Sequence, residues 1–353
     1  MEQLGFEGMP RRLYPCTPSR LRAWLDCPRR YRMTYLDRPA PPKGPPWAHN
    51  SFGASVHNAL AGWWRLAIED RIVPAAGKLL ERGWITEGYA DDAQSARQLS
   101  RAKLMVERYV ATLDPSAEPA GVERTVATKT DLIAVSGRID RLDDRPAVGG
   151  EWAASWATLA GGEVPAGVEA SAGVEASAGL DASAGRESLP GREVRPGREA
   201  RPSREPLQPG IRGADRDLVV VDYKTGRTPP TSQDARSSLA LALYALAAGR
   251  VLRRRCTIVE LHHLPTEQIL RWEHTQESLD RQLRRAEDIA GECATADEQF
   301  RLDPTSSGRG DEVFPATPGP WCGWCDFRGQ CPEGQLASQQ RRPWDALGEP
   351  EAL

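Results

Sequence analysis

A low-complexity segment divides this chain of 353 residues into two parts. Between residues 149 and 213 the sequence repeats a six-residue unit, Ala-Gly-Val-Glu-Ala-Ser from Ala166 and Pro-Gly-Arg-Glu-Val-Arg from Pro190. Each unit offers at most one large apolar side chain, which is too little to offset the conformational entropy lost on ordering. We therefore predict a disordered insert at 149–213. One fold must then be assembled from residues 1–148 and 214–335, followed by a flexible tail at 336–353.

Outside the insert, apolar spacing and helix-capping residues predict an α/β fold. Thr17 and Pro18 form a good N-cap and first-turn pair, and Pro28 should end that helix because the residue before proline is pushed out of the helical region. Cys27 is therefore expected at an elbow between two short helices. Periodicity predicts further helices at 51–71, 95–113, 237–248 and 276–294, and strands at 121–128, 131–142, 217–224 and 256–264. This order predicts a mixed sheet flanked by helices, with a helical N-terminal lobe.

Composition excludes several classes of protein. No apolar run approaches the roughly 18 residues of a membrane span, and the charged N-terminus lacks the order of a secretory signal. We therefore expect a cytoplasmic protein without membrane contact. The formal net charge is −3, so overall charge does not predict a nucleic-acid partner. Seven cysteines, most of them far apart, argue against a secreted disulfide framework and favour metal binding by a tight cluster.

An aspartate and a lysine share one side of the strand predicted at 217–224. Because side chains alternate along a strand, Asp222 and Lys224 point to one face and Tyr223 to the other. Asp140 lies on a second predicted strand. Two carboxylates at neighbouring strand ends suit Mg²⁺, and a nearby lysine can position an attacking water and offset phosphate charge. Taken alone, so short a pattern also fits a turn-capping aspartate beside a solvated lysine.

Three cysteines near the C-terminus have the spacing of a metal-binding cluster. Cys322, Cys325 and Cys331 form C-x₂-C-x₅-C, which is one ligand short of a four-thiolate site. Cys27 is the best fourth candidate because it stands at the predicted elbow, and Cys16 is its only serious rival. Spacing alone leaves both a zinc site and an iron–sulfur cluster open. A free redox Cys-x-x-Cys is less favoured, because no thioredoxin-like strand precedes it.

Arginines and aromatic residues alternate near the N-terminus. Arg20, Arg22, Arg29 and Arg30 are interleaved with tryptophan and tyrosine, which is typical of grooves that neutralise phosphates and stack bases. This pattern predicts contact with DNA. The alternative is a solvated helix face whose aromatic residues point into the core, and for Trp24 we prefer that alternative.

Five segments of the chain carry motifs in a fixed order. They are Pro18-Ser-Arg-Leu-Arg-Ala-Trp-Leu-Asp-Cys-Pro-Arg-Arg-Tyr31, Gly53-x-x-x-His57, Gly137-Arg-Ile-Asp-Arg141, Val221-Asp-Tyr-Lys-Thr-Gly226 and a following helix with Tyr244. Together they resemble the motifs of RecB-family exonucleases in the PD-(D/E)XK nuclease superfamily, over nearly the whole chain except the insert and tail. The chain differs from the pattern of the family at two points. A glutamine of the family is replaced here by Ala240, and 82 positions separate Asp140 from Asp222. The insert accounts for that separation, since lengthening a loop from about 12 to about 82 residues costs only about 1.7 kcal/mol.

The resemblance implies a restriction-endonuclease-like fold and an exonuclease that hydrolyses DNA, single-stranded or duplex, in repair or recombination. A divalent ion, Mg²⁺ or Mn²⁺, would be held by His57, Asp140, Asp222 and the backbone carbonyl of Tyr223. Lys224 would be the catalytic lysine, and Tyr244 a further site residue.

In similar AddB-type nucleases, one upstream and three downstream cysteines hold a [4Fe–4S] cluster. Here this implies Cys27, Cys322, Cys325 and Cys331 as ligands. The alternative function is a catalytically silent DNA-binding module with an iron–sulfur or zinc staple. No G-x-x-x-x-G-K-[ST] motif occurs, so any helicase activity would come from a partner chain.

Overall fold

The computed structural model describes residues 13–146, 216–302 and 312–348. The insert predicted at 149–213 lies outside the described residues. The strands are β1 (Tyr14–Cys16), β2 (Gly121–Lys129), β3 (Ile133–Pro146), β4 (Arg216–Lys224), β5 (Ile258–His263) and β6 (Gln268–Glu273). The α-helices are α1 (Pro18–Asp26), α2 (Pro28–Tyr35), α3 (Ala48–Trp64), α4 (Val73–Arg82), α5 (Asp92–Ala111), α6 (Ser232–Ser237), α7 (Leu239–Leu252), α8 (Gln276–Leu302) and α9 (Pro332–Ala337). Short 3₁₀ helices lie at Ile68–Asp70, Pro320–Trp324, Arg328–Gln330 and Asp345–Leu347.

The six described strands form one mixed sheet. They follow the order β1-β3-β4-β5-β6, and β2 pairs with the other edge of β3. β1 runs parallel to β3 and β4 parallel to β5, whereas the β2–β3, β3–β4 and β5–β6 pairs are antiparallel. The predicted mixed sheet is therefore confirmed, and it is consistent with a restriction-endonuclease-like fold.

Helices cover both faces of this sheet. On one face α1 and α8 pack Leu21 and Ile289 into a core that also contains Val220. On the other face α3, α4 and α5 form a second core, in which Val56 lies with Val221. Neighbouring residues of β4 thus enter opposite cores, as the alternation of side chains along a strand predicts.

The elbow at Cys27 is confirmed. The Thr17 hydroxyl accepts a hydrogen bond from the Arg20 amide at 3.1 Å and caps α1. Cys27 has extended backbone angles, φ −169° and ψ 111°, so it ends α1 and precedes Pro28 at the start of α2. The thiol therefore projects from a fixed corner instead of from the side of a continuous helix.

Several elements differ from the sequence predictions. β1, β6, α4 and α6 are additional elements, and the helix predicted at 51–71 instead spans Ala48–Trp64. β1 has only three residues, which is too few for an alternating pattern to stand out. β6 lies at the edge of the sheet and exposes most of its side chains, so it lacks the apolar face that marks a strand.

Residues 343–348, which lie within the tail predicted to be flexible from residue 336, contact α3 and the second core. Leu347 is only 6% exposed and packs into the second core. The Ala48 amide at the start of α3 donates to the Pro343 carbonyl at 3.0 Å. The apolar side chains of Trp344 and Leu347 pack against the core that α3 helps to form. The sequence around them does not predict this contact.

The helices of the described ranges can be compared in length and apolar character with a membrane span. The longest of them, α8, has 27 residues and alternates charged and apolar positions. Within these ranges, none of the helices combines the length and the apolar character needed to cross a membrane.

Candidate active site

The strands β3 and β4 separate at Asp140, and we call this point the fork. β3 pairs with β1 through Ile133–Val135 and with β4 from Arg141 onward, so the intervening edge has no strand partner in the described chain. Continuing the β3–β4 register by one position would set Asp140 opposite Asp222. There, Asp140 Oδ2 accepts a hydrogen bond from the Tyr223 amide at 2.9 Å. This side-chain hydrogen bond takes the place of the next backbone hydrogen bond between β3 and β4. The backbone of both strands therefore fixes the position of the carboxylate.

Three possible metal donors surround this fork. His57 Nδ1 on α3 is 3.4 Å from Asp140 Oδ1. Glu123 on β2 lies opposite Asp140, since Val122 pairs with Arg141 and the register continues past this point. One ligand atom each from His57, Glu123 and Asp140 lies within 4.8 Å of the other two. This spacing allows a single cation to bind all three.

Glu123 is the site residue that the sequence motifs missed. Its backbone has φ +49°, an unusual conformation for a residue with a side chain. The side-chain alternation of β3 also slips here, because Ile139 and Leu142 both enter the first core while Arg141 contacts Tyr223 beside the second. Distorted backbone of this kind is often found at functional sites. The hairpin register between β2 and β3 was the one feature that could have identified Glu123.

Asp222 and Lys224 lie at the end of β4, beside the three-donor group. Lys224 Nζ is 2.7 Å from Asp222 Oδ2, so the two side chains share a face as the strand alternation predicted. Asp222 is outside the set whose ligand atoms lie within 4.8 Å of one another. Burial raises the pKa of Asp222, and the negative charge of Asp140 raises it further against the opposing effect of Lys224. The two carboxylates therefore interact electrostatically across the fork.

The electrostatics of the donor group favour a bound cation. Burial alone would lower the pKa of His57, but the charge and hydrogen bond of Asp140 raise it to about 9. For Asp140, burial opposes ionisation, but the charge of His57 lowers the pKa of the carboxyl below its usual value. Without a metal ion, an imidazolium thus supplies the positive charge among these carboxylates, and a bound cation would take over that role by displacing the His57 proton. Carboxylate oxygens and one imidazole are also donors that Mg²⁺ or Mn²⁺ accepts.

Tyr244 and Tyr223 support the fork from its two sides. The ring of Tyr244 on α7 packs directly against Gly137 of β3, and a Cβ at that glycine would collide with it. The Tyr223 side chain is 4% exposed, and its hydroxyl accepts a hydrogen bond from Arg141 at 3.2 Å. The Tyr223 ring also meets His57 edge-to-face, with 5.7 Å between ring centroids. Whether the Tyr223 carbonyl is a metal ligand stays a prediction.

A buried charge network lies beneath the fork. Arg145 makes two hydrogen bonds to Glu260, at 2.7 and 2.9 Å, and two to Asp143, at 2.6 and 3.2 Å. His262 Nε2 lies 2.9 Å from Glu260, and its Nδ1 lies 2.7 Å from the Tyr109 hydroxyl. These partners satisfy charges that would be costly to bury alone.

Glu260 gives a prediction about pH and stability. Burial alone would raise the pKa of Glu260, but the hydrogen bonds and charges of His262 and Arg145 lower it to about 2. A folded-state pKa below the unfolded value stabilises the protein above about pH 4.3, and this stabilisation is lost as pH falls toward 2. Glu260→Gln should therefore remove about 3 kcal/mol of pH-dependent stability over that window. Urea unfolding at several pH values measures it.

The control for this prediction is Glu273→Gln. Glu273 lies on β6 and forms an exposed ion pair with Arg255 at 2.6 Å. Such surface pairs contribute about 1 kcal/mol or less. Equal pH profiles for the Glu260 and Glu273 variants would contradict a structural role for the buried network.

The four predicted cluster cysteines come from distant segments and lie in one neighbourhood. A Cβ at Gly334 would be 3.4 Å from Cys331 Sγ and 3.6 Å from Cys322 Sγ. Cys325 follows Cys322 by one turn and is close enough to Cys27 for their charges to interact. Among the described residues, however, no three of these sulfurs lie within 4.8 Å of one another.

Each of these four sulfurs accepts a backbone N–H. Cys27, Cys322 and Cys331 accept from Thr317, Gly319 and Gly334, each at 3.4 Å, and Cys325 accepts from Phe327. Backbone N–H donors of this kind also bond to the sulfur ligands of metal clusters. Burial raises the pKa of Cys325 against the opposing effect of the Phe327 amide, and it raises the pKa of Cys16 to about 11 and those of Cys256 and Cys293 to about 12.

The four predicted DNA-contacting arginines fall into two groups. Arg20 and Arg29 are partly or fully buried, and they form ion pairs with Asp297 at 2.8 Å and Glu333 at 2.6 Å. Arg22 and Arg30 instead lie near Asp26, with Nε–Oδ1 and Nη1–Oδ2 distances of 2.7 and 3.8 Å. The first pair holds α1 and α2 against α8 and α9, while DNA contact stays a prediction for all four.

The forked strands, the three-donor group and the adjoining Asp222–Lys224 pair define a hydrolase-type site suited to a divalent cation. A family model described as PD-(D/E)XK nuclease superfamily matches residues 15–153 and 211–332. The chain therefore belongs to the PD-(D/E)XK nuclease superfamily, whose members are nucleases that use divalent metals. The match is interrupted between residues 153 and 211, within the predicted insert. A comparison with curated proteins found no match.

Proposed function

We propose that this chain is a divalent-cation-dependent deoxyribonuclease of the RecB-like exonuclease type, acting in DNA repair or recombination. The observation that carries the proposal is the Asp140 carboxylate, held in the β3–β4 fork by the Tyr223 amide with His57 and Glu123 around it. The presence of the Asp222–Lys224 pair also argues for catalysis, because a silent binding module would have no need of either group.

The residues have distinct roles in this proposal. His57, Glu123 and Asp140 hold Mg²⁺ or Mn²⁺, and Asp222 completes the ligand set from the neighbouring strand. A bound cation would lower the pKa of a water molecule and neutralise charge on the scissile phosphate. Lys224 is positioned by Asp222, and its ammonium group can orient the attacking water and offset negative charge in the transition state.

The four cysteines are proposed to hold a [4Fe–4S] cluster. A tetrahedral zinc ion with Zn–S bonds of about 2.3 Å brings its sulfurs to about 3.8 Å from one another. No three of these sulfurs, all in described segments, are within 4.8 Å of one another, which is more open than zinc requires. In a four-iron cluster the cysteine sulfurs bind different iron atoms, so they lie farther apart than around a single ion. Hydrogen bonds from N–H groups to the sulfurs are among the features that set the reduction potential of such a cluster. This cluster would join α1 and α2 to the C-terminal segment.

The proposed function is tested with end-labelled single-stranded and duplex DNA in the presence of Mn²⁺. The wild-type protein should release nucleotides from linear DNA and leave circular DNA intact. Asp222→Ala and Lys224→Ala should each lose at least about a thousandfold in rate, since both act on the reacting groups. Asp131→Ala and Lys78→Ala, which change exposed residues away from the fork, are the matched controls. Equal cleavage by all five proteins would show that the activity arises elsewhere.

A further inference from the structure

Two arginines converge at the rim of the candidate active site. Arg227 follows β4 in the loop after Lys224, and Arg101 extends from α5. Arg101 Nη1 donates to the Leu347 carbonyl at 3.3 Å, and a Cβ placed on Gly348 would lie 2.5 Å from Arg227 Nη1. Both guanidinium groups therefore lie against the same short stretch of backbone near the C-terminus.

The loop that carries Arg227 is held from two sides. The Gly226 carbonyl accepts a hydrogen bond from His263 Nε2 at 2.7 Å, and His263 is only 1% exposed. On the other side, Thr225 packs closely against Gly53 of α3. A Cβ added at Gly53 would lie only 3.3 Å from Thr225 Oγ1. The Arg227 side chain is exposed, but it begins from a backbone with little freedom to move. The backbone from which the Arg227 side chain extends is therefore held in place beside the site.

The charges of the two arginines are not balanced within the described residues. In those ranges neither side chain lies within ion-pair distance of a carboxylate. Burial lowers the pKa of Arg101, and the positive charge of Arg227 lowers it further, so each guanidinium lies in the field of the other. Two neighbouring guanidinium groups offer a set of planar donors that matches the oxygens of a phosphate.

The pair is also close to the reacting groups. Only three positions separate Arg227 from Lys224, so about 11 Å of extended chain at most lies between them. The Arg101 guanidinium lies over the Phe52 ring at 5.7 Å, and Phe52 precedes Gly53 on the helix that carries His57. A phosphate bound here would be a near neighbour of the phosphate being cleaved.

We propose that Arg101 and Arg227 together bind one backbone phosphate of the DNA strand, adjacent to the scissile phosphate. The inference rests on the proposed nuclease function and adds a subsite to it. The subsite fixes the position of the strand and does not take part in bond breaking. It should therefore act on substrate affinity and leave the chemical step unchanged.

The test compares Arg101→Gln, Arg227→Gln and the double variant on a single-stranded oligonucleotide. Each single change should raise KM about tenfold or more, because a charged hydrogen bond is lost, and should leave kcat within about twofold. The slope of log affinity against log salt should fall by about 0.7 in the double variant, which is the value for one phosphate on a single strand. Arg108→Gln, which changes an exposed residue two turns farther along the same helix, is the matched control and should match the wild type.

A small phosphodiester, bis(4-nitrophenyl) phosphate, separates this inference from the function on which it rests. It has no flanking phosphate, so all the arginine variants should hydrolyse it at the wild-type rate. Wild-type values for the variants on the oligonucleotide would overturn the subsite alone. A fall of about 1.4 in the double-variant slope would mean two separate phosphates and would also overturn it. A wild-type protein that neither binds nor cleaves DNA would refute both proposals.

Discussion

Asp140→Asn is expected to lower kcat for DNA hydrolysis by at least about a thousandfold while leaving the protein folded. The asparagine side-chain oxygen can still accept the hydrogen bond of the Tyr223 amide, which Asp140 accepts at 2.9 Å. The strands should therefore keep their fork. The negative charge that Asp140 contributes to the donor group with His57 and Glu123 is lost. Steady-state cleavage with Mn²⁺ and thermal unfolding measure the two effects separately.

Asp140→Ala extends the same experiment. Alanine removes the charge and also leaves the Tyr223 amide without its acceptor, which should cost about 1–3 kcal/mol of stability beyond the loss of activity. Asp131→Asn, in the turn between β2 and β3, is the control and should behave like the wild type. If Asp140→Asn retained activity within tenfold of the wild type, Asp140 would not be a metal ligand.

Cys27→Ala is expected to have the largest effect on stability. The proposed cluster joins Cys27 to Cys331, 304 positions away, so its loss would release nearly the whole length of the chain. Metal-coupled folding of small sites is worth on the order of 10 kcal/mol, which is similar to the entire stability of a typical domain. The variant should lose its iron and its absorbance near 400 nm, and its Tm should fall by at least about 10 °C.

Cys16→Ala is the matched control for this experiment. Cys16 lies 11 positions before Cys27 and is 3% exposed in the core between β1 and the helices. It should retain the cluster and lose only the stability that a small buried side chain contributes. Loss of iron from Cys16→Ala and not from Cys27→Ala would reassign the fourth ligand. Stoichiometric zinc in a colourless anaerobic preparation would exclude the iron–sulfur cluster.

The sequence predicted those parts of the fold that local chemistry determines. Pro28 required an elbow at Cys27, and the alternation of β4 required Asp222 and Lys224 to share a face; both are present. Thr17 capped the first helix for the same local reason. These features depend on neighbours in sequence, so they could be predicted without knowing the tertiary structure.

Residues brought in by pairing or packing could not be predicted in this way. Glu123 reaches the metal donors only because the hairpin register sets it opposite Asp140, and it belongs to no motif. Leu347 looked like part of a loose tail because its partner, α3, is some 290 positions away in sequence. Arg101 and Arg227 are likewise brought together by tertiary structure, because both side chains lie against the backbone of that C-terminal segment.

The pairing of Pro146 with Arg216 has a practical consequence. The two residues are partners at the end of the β3–β4 ladder, so their Cα atoms are about 5 Å apart. Asp222 lies six positions after Arg216 along β4, which places this junction about 20 Å from the fork. New chain termini created there would begin side by side and far from the chemistry. The junction is thus a natural choice for circular permutation, or for grafting a fluorescent reporter onto the enzyme.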